Sequence, residues 1–516
     1  MGHYDVAIIG GGLTGLTASI YLARAGLSVI VLDKANQLGG RAQSVNKKGV
    51  SLNLGVHAFY QDGAAEGILR ELGVRPKGAN PPASAGVMWN DRIYTLPTKP
   101  FQLIASKLFS FSEKMELTRF MLNLGKIDPN RIERISLKEW AELEIRHPML
   151  RHVIYSVSRA NSFVPHPELH LAGPAVRQLQ RTFSGKAFYI EGGWGRLIDD
   201  LRDQAIRAGV TIMNQKKAVE IVHDGTVRRI RLKDGELIDA PNVVIAAGPK
   251  EAYDLVKNLD STSLEKWKDN IKPIHAACLD LILRRLPDGG SNFIAGFWLD
   301  QPIFYNSPST VTKLSEDGSV VIHLVKHLGM NESRPETDLL QLEKAMDLVQ
   351  PGWRKEEIAR QFLPNLTVAH DFITVDKSGK FPSPSVQGIK GLYVAGDWTG
   401  HGELLADAAF ASAKRAAQAI ISKQYSFKGR MLDRGTLYNE LKPLLVSLAY
   451  HTMGSIAEAE DIVHDVFLSW EEKPPHQVCD AKAYLCKMVH NRCVDYIRSL
   501  RRDRERYVGL MAARAH

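Results

Sequence analysis

The chain has 516 residues, of which 44% are hydrophobic and 24% charged; at about 150 residues per domain this is room for two to four domains. Such a composition excludes a disordered, collagen-like or disulfide-dense chain, and no apolar run reaches the roughly 18 residues that a membrane-spanning helix needs. The net charge of +9 is modest for the length and does not by itself point to nucleic acid.

In chain order, Tyr4–Ile9 is a short apolar run of the kind found in buried parallel strands. Gly10-Gly-Gly-Leu-Thr-Gly15 follows at once, then a helical stretch over Leu16–Ala25, a stop at Gly26, and a second apolar strand over Ser28–Leu32 that closes on Asp33. This is a βαβ unit with Gly10, Gly12 and Gly15 at the spacing of a dinucleotide turn. Backbone amides at the helix N-terminus are expected to face a pyrophosphate, and Asp33 to accept hydrogen bonds from a ribose hydroxyl. Leu38-Gly39-Gly40-Arg41 adds a second glycine turn and a cation that can approach the diphosphate.

From about 61 to 190 the pattern is less regular, broken by Pro81-Pro82, Pro97 and Pro100. Phe101–Lys126 reads as one amphipathic helix, suited to the core, to an apolar substrate cavity or to a membrane surface. Gly192-Gly-Trp-Gly195 leads into a helix over Arg196–Ala208, followed by strands at Thr211–Met213 and Ala218–His223. Turns at Asp224-Gly225 and Asp234-Gly235 suggest a hairpin or meander. Val243–Gly248 is another buried-type strand, Gly391–Asp397 a strand ending in Gly396-Asp397, and an alanine-rich helix is expected from about 403 to 422. Ser426–Arg434 is polar and basic, as a linker would be.

Beyond the linker everything reads as helix. Ser455-Ile-Ala-Glu458 is a capping box, and Ala459, Ile462, Val463, Val466, Phe467 and Trp470 form one apolar stripe. Residues 455–472 carry six acids and no Lys or Arg, whereas 487–506 carry seven bases against three acids, which reads either as two solvated helix faces or as two surfaces for different partners. Four cysteines in the whole chain (Cys278, Cys479, Cys486, Cys493) fit a reducing compartment. The spacing by seven of the last three puts them on similar helix faces and matches no metal site, so no metal is expected. With no basic segment ahead of Val6–Ile9 to make a signal peptide, the expected location is cytoplasmic.

Two resemblances follow from these residues. Gly10–Gly15, Asp33, Gly39-Gly40-Arg41, Val243–Pro249 and Leu392-Tyr-Val-Ala-Gly-Asp-Trp398 stand in the order found in the FAD-dependent amine oxidase and phytoene desaturase superfamily, which the chain resembles over about 1–422. The resemblance implies bound FAD, with Gly396-Asp397 against the ribityl–phosphate region and backbone at Val219 near the adenine. Gly400–Ala411 holds no cysteine, so the flavin is expected to be non-covalent. The implied chemistry is hydride transfer from an unidentified small organic substrate, apolar or not, to FAD; the superfamily acts on amines, polyenes and porphyrinogens, and the sequence does not choose among them. His57 and His401 are the candidates for a catalytic or flavin-edge role, each weighed against a structural one, while Trp194 and Trp398 read as packing.

The second resemblance covers about 436–508. Leu437-Tyr-Asn-Glu-Leu, Ala459-Glu-Asp461-Ile-Val-His-Asp465-Val-Phe-Leu, Ala483-Tyr-Leu and Asn491-Arg-Cys-Val-Asp495 look like region two of an extracytoplasmic-function sigma factor. That implies core RNA polymerase docking through Asp461 and Asp465 and promoter −10 DNA contact through Arg492, Arg498, Arg501 and Arg502. The second helix-turn-helix domain of such factors, which reads the −35 element, has no counterpart here. A gene fusion is therefore expected, in which half a sigma factor binds polymerase without starting transcription alone. The fold expectation is a doubly wound α/β, Rossmann-like FAD-binding domain (about 1–60, 190–250 and 385–422). An α+β substrate domain (about 61–190 and 251–385) completes an oxidoreductase over 1–425, and a linker (426–435), an all-α module (436–508) and a tail (509–516) follow. The rival to a working flavoenzyme is a sigma-type regulator of transcription initiation whose flavin domain acts as a redox or ligand sensor.

Overall fold

The computed structural model describes residues 2–97, 100–132, 134–257, 262–431, 434–472, 482 and 484–497. Its first sheet is built from the apolar runs: Val6–Ile9 and Val29–Leu32 are buried at every position, and Asn242–Ile245 at three of four. Strands with no polar alternation must be covered on both faces, and they are. The five strands run in parallel in the order Thr211–Met213, Val29–Leu32, Val6–Ile9, Asn242–Ile245, Leu392–Val394. Helices Leu13–Arg24 and Trp194–Arg207 pack together beside it. The other face meets an antiparallel meander of Ala218–His223, Val227–Leu232 and Leu237–Asp239, whose Ile221, Ile230 and Leu232 share one core with Ala7, Ile30 and Val243. Each fully buried side chain of this kind contributes about 1.5–3 kcal/mol.

A seven-stranded mixed sheet forms a second layer, with Ile274–Leu283 paired antiparallel to both Val320–Leu328 and Glu357–Ala369. Asp280 lies opposite His323 on one neighbour and Gln361 on the other. Its Oδ1 is 2.6 Å from His323 Nδ1, and its Oδ2 accepts from Gln361 Nε2 at 3.0 Å, so this buried carboxylate is partnered on both sides. Helices Leu137–Glu144, Pro148–Ser162 and Ala172–Phe183 cover one face of the sheet, and Pro335–Val349 packs against the other. The parallel sheet draws its strands from 1–60, 190–250 and 385–422; the mixed sheet draws its own from 61–190 and 251–385.

Two elements differ from the sequence reading. The expected single helix over Phe101–Lys126 is two helices, Pro100–Ala105 and Phe111–Leu124. The break has a local cause: Ser110 caps the second helix through its side chain, and Glu113 reaches back to the Ser110 N–H, a reciprocal capping box. The alanine-rich helix spans Leu405–Met431, running past 422 and through the start of the expected linker. The chain divides into two units, Met1–Ala417 and Gln418–His516, and this division falls inside that helix.

In the second unit, helices Arg434–Met453 and Ile456–Glu472 are separated by Gly454, whose φ of +74° ends the first. Residues 484–497 are also helical. The stripe read from the sequence is buried: Ala459, Val463 and Phe467 form one core with Leu445, Val489 and Cys493. Tyr438 packs edge-on against Phe467 at 4.8 Å. Ser455 caps the second helix by accepting from Glu458 N, while the Glu458 carboxylate accepts from Tyr496 Oη.

Candidate functional site

The glycine turn between Val6–Ile9 and Leu13–Arg24 is shaped by two close approaches. Gly10 has φ +109°, and a Cβ on Gly15 would sit 1.8 Å from the Gly10 carbonyl oxygen, so the helix can lie this close to the strand only with glycine there. Gly15 therefore acts through packing and does not line the cavity that the turn opens into. Gly10, Gly12, Asp33, Gly39, Gly40, Arg41, Val219, Gly396 and Asp397 all line it. The helix starting at Leu13 has no side-chain cap, leaving its first N–H groups directed at this end of the cavity, the arrangement that accommodates a phosphate. Gly39 N donates to Gly11 O at 2.9 Å, joining the two glycine turns. Asp33 accepts from Gly11 N through Oδ2 and from Ala35 N through Oδ1, both at 2.7 Å. With about four lone-pair sites on a carboxylate, each oxygen keeps one for a ribose hydroxyl.

Arg41 and Asp397 do something that the sequence does not reveal. The guanidinium donates to Asp397 Oδ2 at 2.7 Å and Oδ1 at 2.9 Å, and to Val368 O at 2.8 Å. His370 completes the cluster: its N–H meets Asp397 Oδ2 at 2.9 Å, and its Nδ1 lies 3.1 Å from Oδ1. Burial pushes the Asp397 carboxyl up, but Arg41 and the His370 contacts outweigh it and hold the group well below the usual carboxylate range. With its carboxylate engaged by Arg41 and His370, Asp397 leaves the backbone of Gly396-Asp397 to face a cofactor. Arg41 spends three of its five donors on clasping the first and last motifs together, with the rest left for a diphosphate.

His57 lines the cavity. Its Nδ1 sits 3.1 Å from Gly55 O, and its ring lies 5.1 Å from Trp194. Burial lowers its pKa from the ordinary value, opposed by the Gly55 carbonyl, so the ring is neutral near pH 7. His401 is elsewhere: it stacks on Phe381 at 5.0 Å, Nε2 lies 3.0 Å from Pro382 O, and it is absent from the cavity wall. Trp398 is tied through Nε1 to Ala247 O, a packing role. Trp194 lines the cavity and opens its helix, with its N–H on Asn53 Oδ1 at 2.8 Å.

The cavity measures ≈ 1360 Å³, above the roughly 300–1,000 Å³ of ordinary small-molecule pockets. It extends from the glycine turns to a far end walled by Leu117, Phe120, Leu150, Ile154, Phe297 and Phe304. Between 117 and 183, no described lining residue is ionisable. The polar lining residues of that stretch are neutral, among them Asn161, whose Oδ1 accepts from Tyr60 Oη at 2.9 Å. Cys278 also borders the space, and burial pushes its thiol up, which makes it a poor nucleophile. Among the described residues no group of three or more His, Cys, Asp or Glu converges to hold a metal ion.

In the C-terminal unit Asp461 and Asp465 are exposed on the helix Ile456–Glu472, and Arg492 Nη2 lies 3.8 Å from Asp465 Oδ2. Arg498, Arg501 and Arg502 lie outside the described residues, as does Cys479.

Comparison with known proteins agrees with this architecture. Residues 5–419 match the family described as FAD dependent oxidoreductase, and residues 437–503 match Sigma-70 region 2. The chain is 24% identical over 280 residues to a 15-cis-phytoene desaturase of Arabidopsis thaliana, covering 47% of each. It is 22% identical over 330 residues to the coproporphyrinogen III oxidase of Bacillus subtilis, covering 56% of this chain and 68% of that one. The chain thus spans about half the length of the desaturases it matches. An oxidoreductase from Methanosarcina mazei shares the fold, with a TM-score of 0.64 at 18% identity over 79% of this chain and 98% of that one. Among the described residues no helix is long and apolar enough to cross a membrane. The match over 5–419 takes in the parallel sheet with its glycine turns, the mixed sheet and the cavity between them: the chain belongs to the FAD dependent oxidoreductases and carries a C-terminal Sigma-70 region 2 domain.

Proposed function

We propose that residues 1–417 form a flavoenzyme that takes a hydride from an elongated apolar substrate, with FAD held non-covalently. The observation that carries this reading is the continuity of one cavity from the phosphate-binding turns to an uncharged apolar end. FAD bound there supplies the hydride acceptor. The first-turn amides and the turn at Gly39-Gly40 neutralise its diphosphate, Asp33 takes a ribose hydroxyl, and Val219 flanks the adenine. His57 borders the reacting region as a neutral ring that orients substrate. The apolar wall excludes water. Its far end offers neither a free carboxylate for an ammonium substrate nor a cation to pair with porphyrinogen carboxylates, and Asp407, which also lines the cavity, is taken by Arg181 and the Ala65 N–H; this favours a polyene-like hydrocarbon.

The test is anaerobic bleaching of the purified yellow protein. A polyene in detergent should reduce the flavin, whereas amines and porphyrinogens should leave its absorbance unchanged. Bleaching by an amine alone would overturn the substrate class, and a colourless protein that takes up no FAD would overturn the whole reading. For the C-terminal unit we propose docking on core RNA polymerase through Asp461 and Asp465, with Arg492 toward promoter DNA. Capture of polymerase by the full chain, lost in Asp461→Arg, is the expected result. A second reading, a sigma-type regulator with a flavin sensor, has one observation in its favour. The helix whose first residues Leu405, Ala406 and Asp407 line the cavity continues past the division between the units to Met431.

A further inference from the structure

Helix Phe111–Leu124 is apolar on two opposite sides. Leu117, Phe120 and Leu124 are buried in the core. Phe111, Met115 and Leu122, at i, i+4 and i+11, lie on the reverse face, where they are 80%, 59% and 69% exposed. In the preceding helix Phe101 and Ile104 are 65% and 77% exposed. A helix that is apolar all round is normally buried; this one presents its second stripe outward, beside two more exposed apolar side chains.

The charges are sorted about that stripe. Arg119 flanks it on one side and Lys114, whose Nζ donates to Ile104 O at 2.7 Å, on the other, and Lys107 and Lys126 stand exposed just before and just after the helix Phe111–Leu124. The two acids point away and are occupied: Glu113 in the capping box, Glu116 by the N–H groups of Arg146 and His147. An outward apolar stripe between basic flanks is the pattern of a helix lying in the headgroup plane of an anionic bilayer, the long cations reaching up to the phosphates. Ile104, Met121 and Leu122 are exposed on this surface and also line the cavity, so they form a rim shared by both.

We propose that Pro100–Ala105 and Phe111–Leu124 seat the protein on an anionic lipid surface, with the rim of the apolar cavity facing the acyl chains, a route by which a water-insoluble substrate enters. The surface stands without the flavin reading, since its test counts bound protein rather than turnover. The probe is flotation with phosphatidylcholine vesicles, alone or with about 30% phosphatidylglycerol. The full chain should float with the anionic vesicles and be released by salt. F111Q/M115Q, whose side chains lie outside the cavity wall, should partition at least about tenfold less, with flavin content and unfolding curve unchanged. Arg119→Glu with Lys126→Glu should lose the preference for anionic vesicles. Ile206→Gln, on an exposed apolar residue of another helix, should float like the wild type. Wild type left in the aqueous fraction with both vesicle types, or F111Q/M115Q floating undiminished, would overturn the proposal. So would a lipid-free dimer that the same double substitution dissociates, because a second copy would then cover the face.

Discussion

Asp397 accepts four hydrogen bonds while almost fully buried, and removing any donor leaves an underpaired charge. Arg41→Ala is expected to cost about 3 kcal/mol, the low end for a broken buried pair, because Arg41 is itself partly exposed and water takes some of its place; urea unfolding measures it. The pH dependence has a fixed sign. The folded pKa is depressed, so the stabilisation is complete above the unfolded value of about 4 and is lost as pH falls below it. The wild-type advantage over Asp397→Asn should accordingly hold down to about pH 5 and shrink as pH falls from there toward about 2. Gly15→Ala drives a methyl into the Gly10 carbonyl; about 1–3 kcal/mol of stability should go, together with retained flavin, read from absorbance after gel filtration. His370 was not visible in the sequence as a site residue. It belongs to no motif and reaches Asp397 only because the strand Glu357–Ala369 ends beside it.

At the level of elements, the parallel strands were legible because each is a short apolar run bounded by glycine or a polar residue, a local property. Thr211–Met213 and Ala218–His223 fall where the turn residues put them. The mixed sheet was legible only as a strand-rich region, since its pairings join Ala85–Trp89 to Ala295–Trp298 across more than 200 residues and nothing local encodes that. The misread helix is instructive. Ser110-x-x-Glu113 is a start signal present in the sequence, but apolar residues continue on both sides of it and conceal the break. Ser110→Ala should cost about 1 kcal/mol and raise amide exchange in the first turn of Phe111–Leu124, leaving the parallel sheet protected.

At the scale of the molecule, each unit has its own core. Phe467→Ala should remove about 3–5 kcal/mol from the C-terminal unit and melt it, while flavin content and the main unfolding transition persist; calorimetry beside flavin fluorescence would show whether they do. A chain ending at Met431 should likewise stay yellow.

The clasp between Arg41 and Asp397 joins positions 356 residues apart, and the central strand Val6–Ile9 waits for Asn242–Ile245 before its second edge is paired. A ribosome adding about 5–20 residues each second therefore releases the glycine turns tens of seconds before their counterpart exists. The vitamin-derived partner has no finished berth until some four hundred amino acids have emerged. By then the translation machinery is already making the Sigma-70 region 2 portion, so the berth is completed only as the polypeptide nears its end.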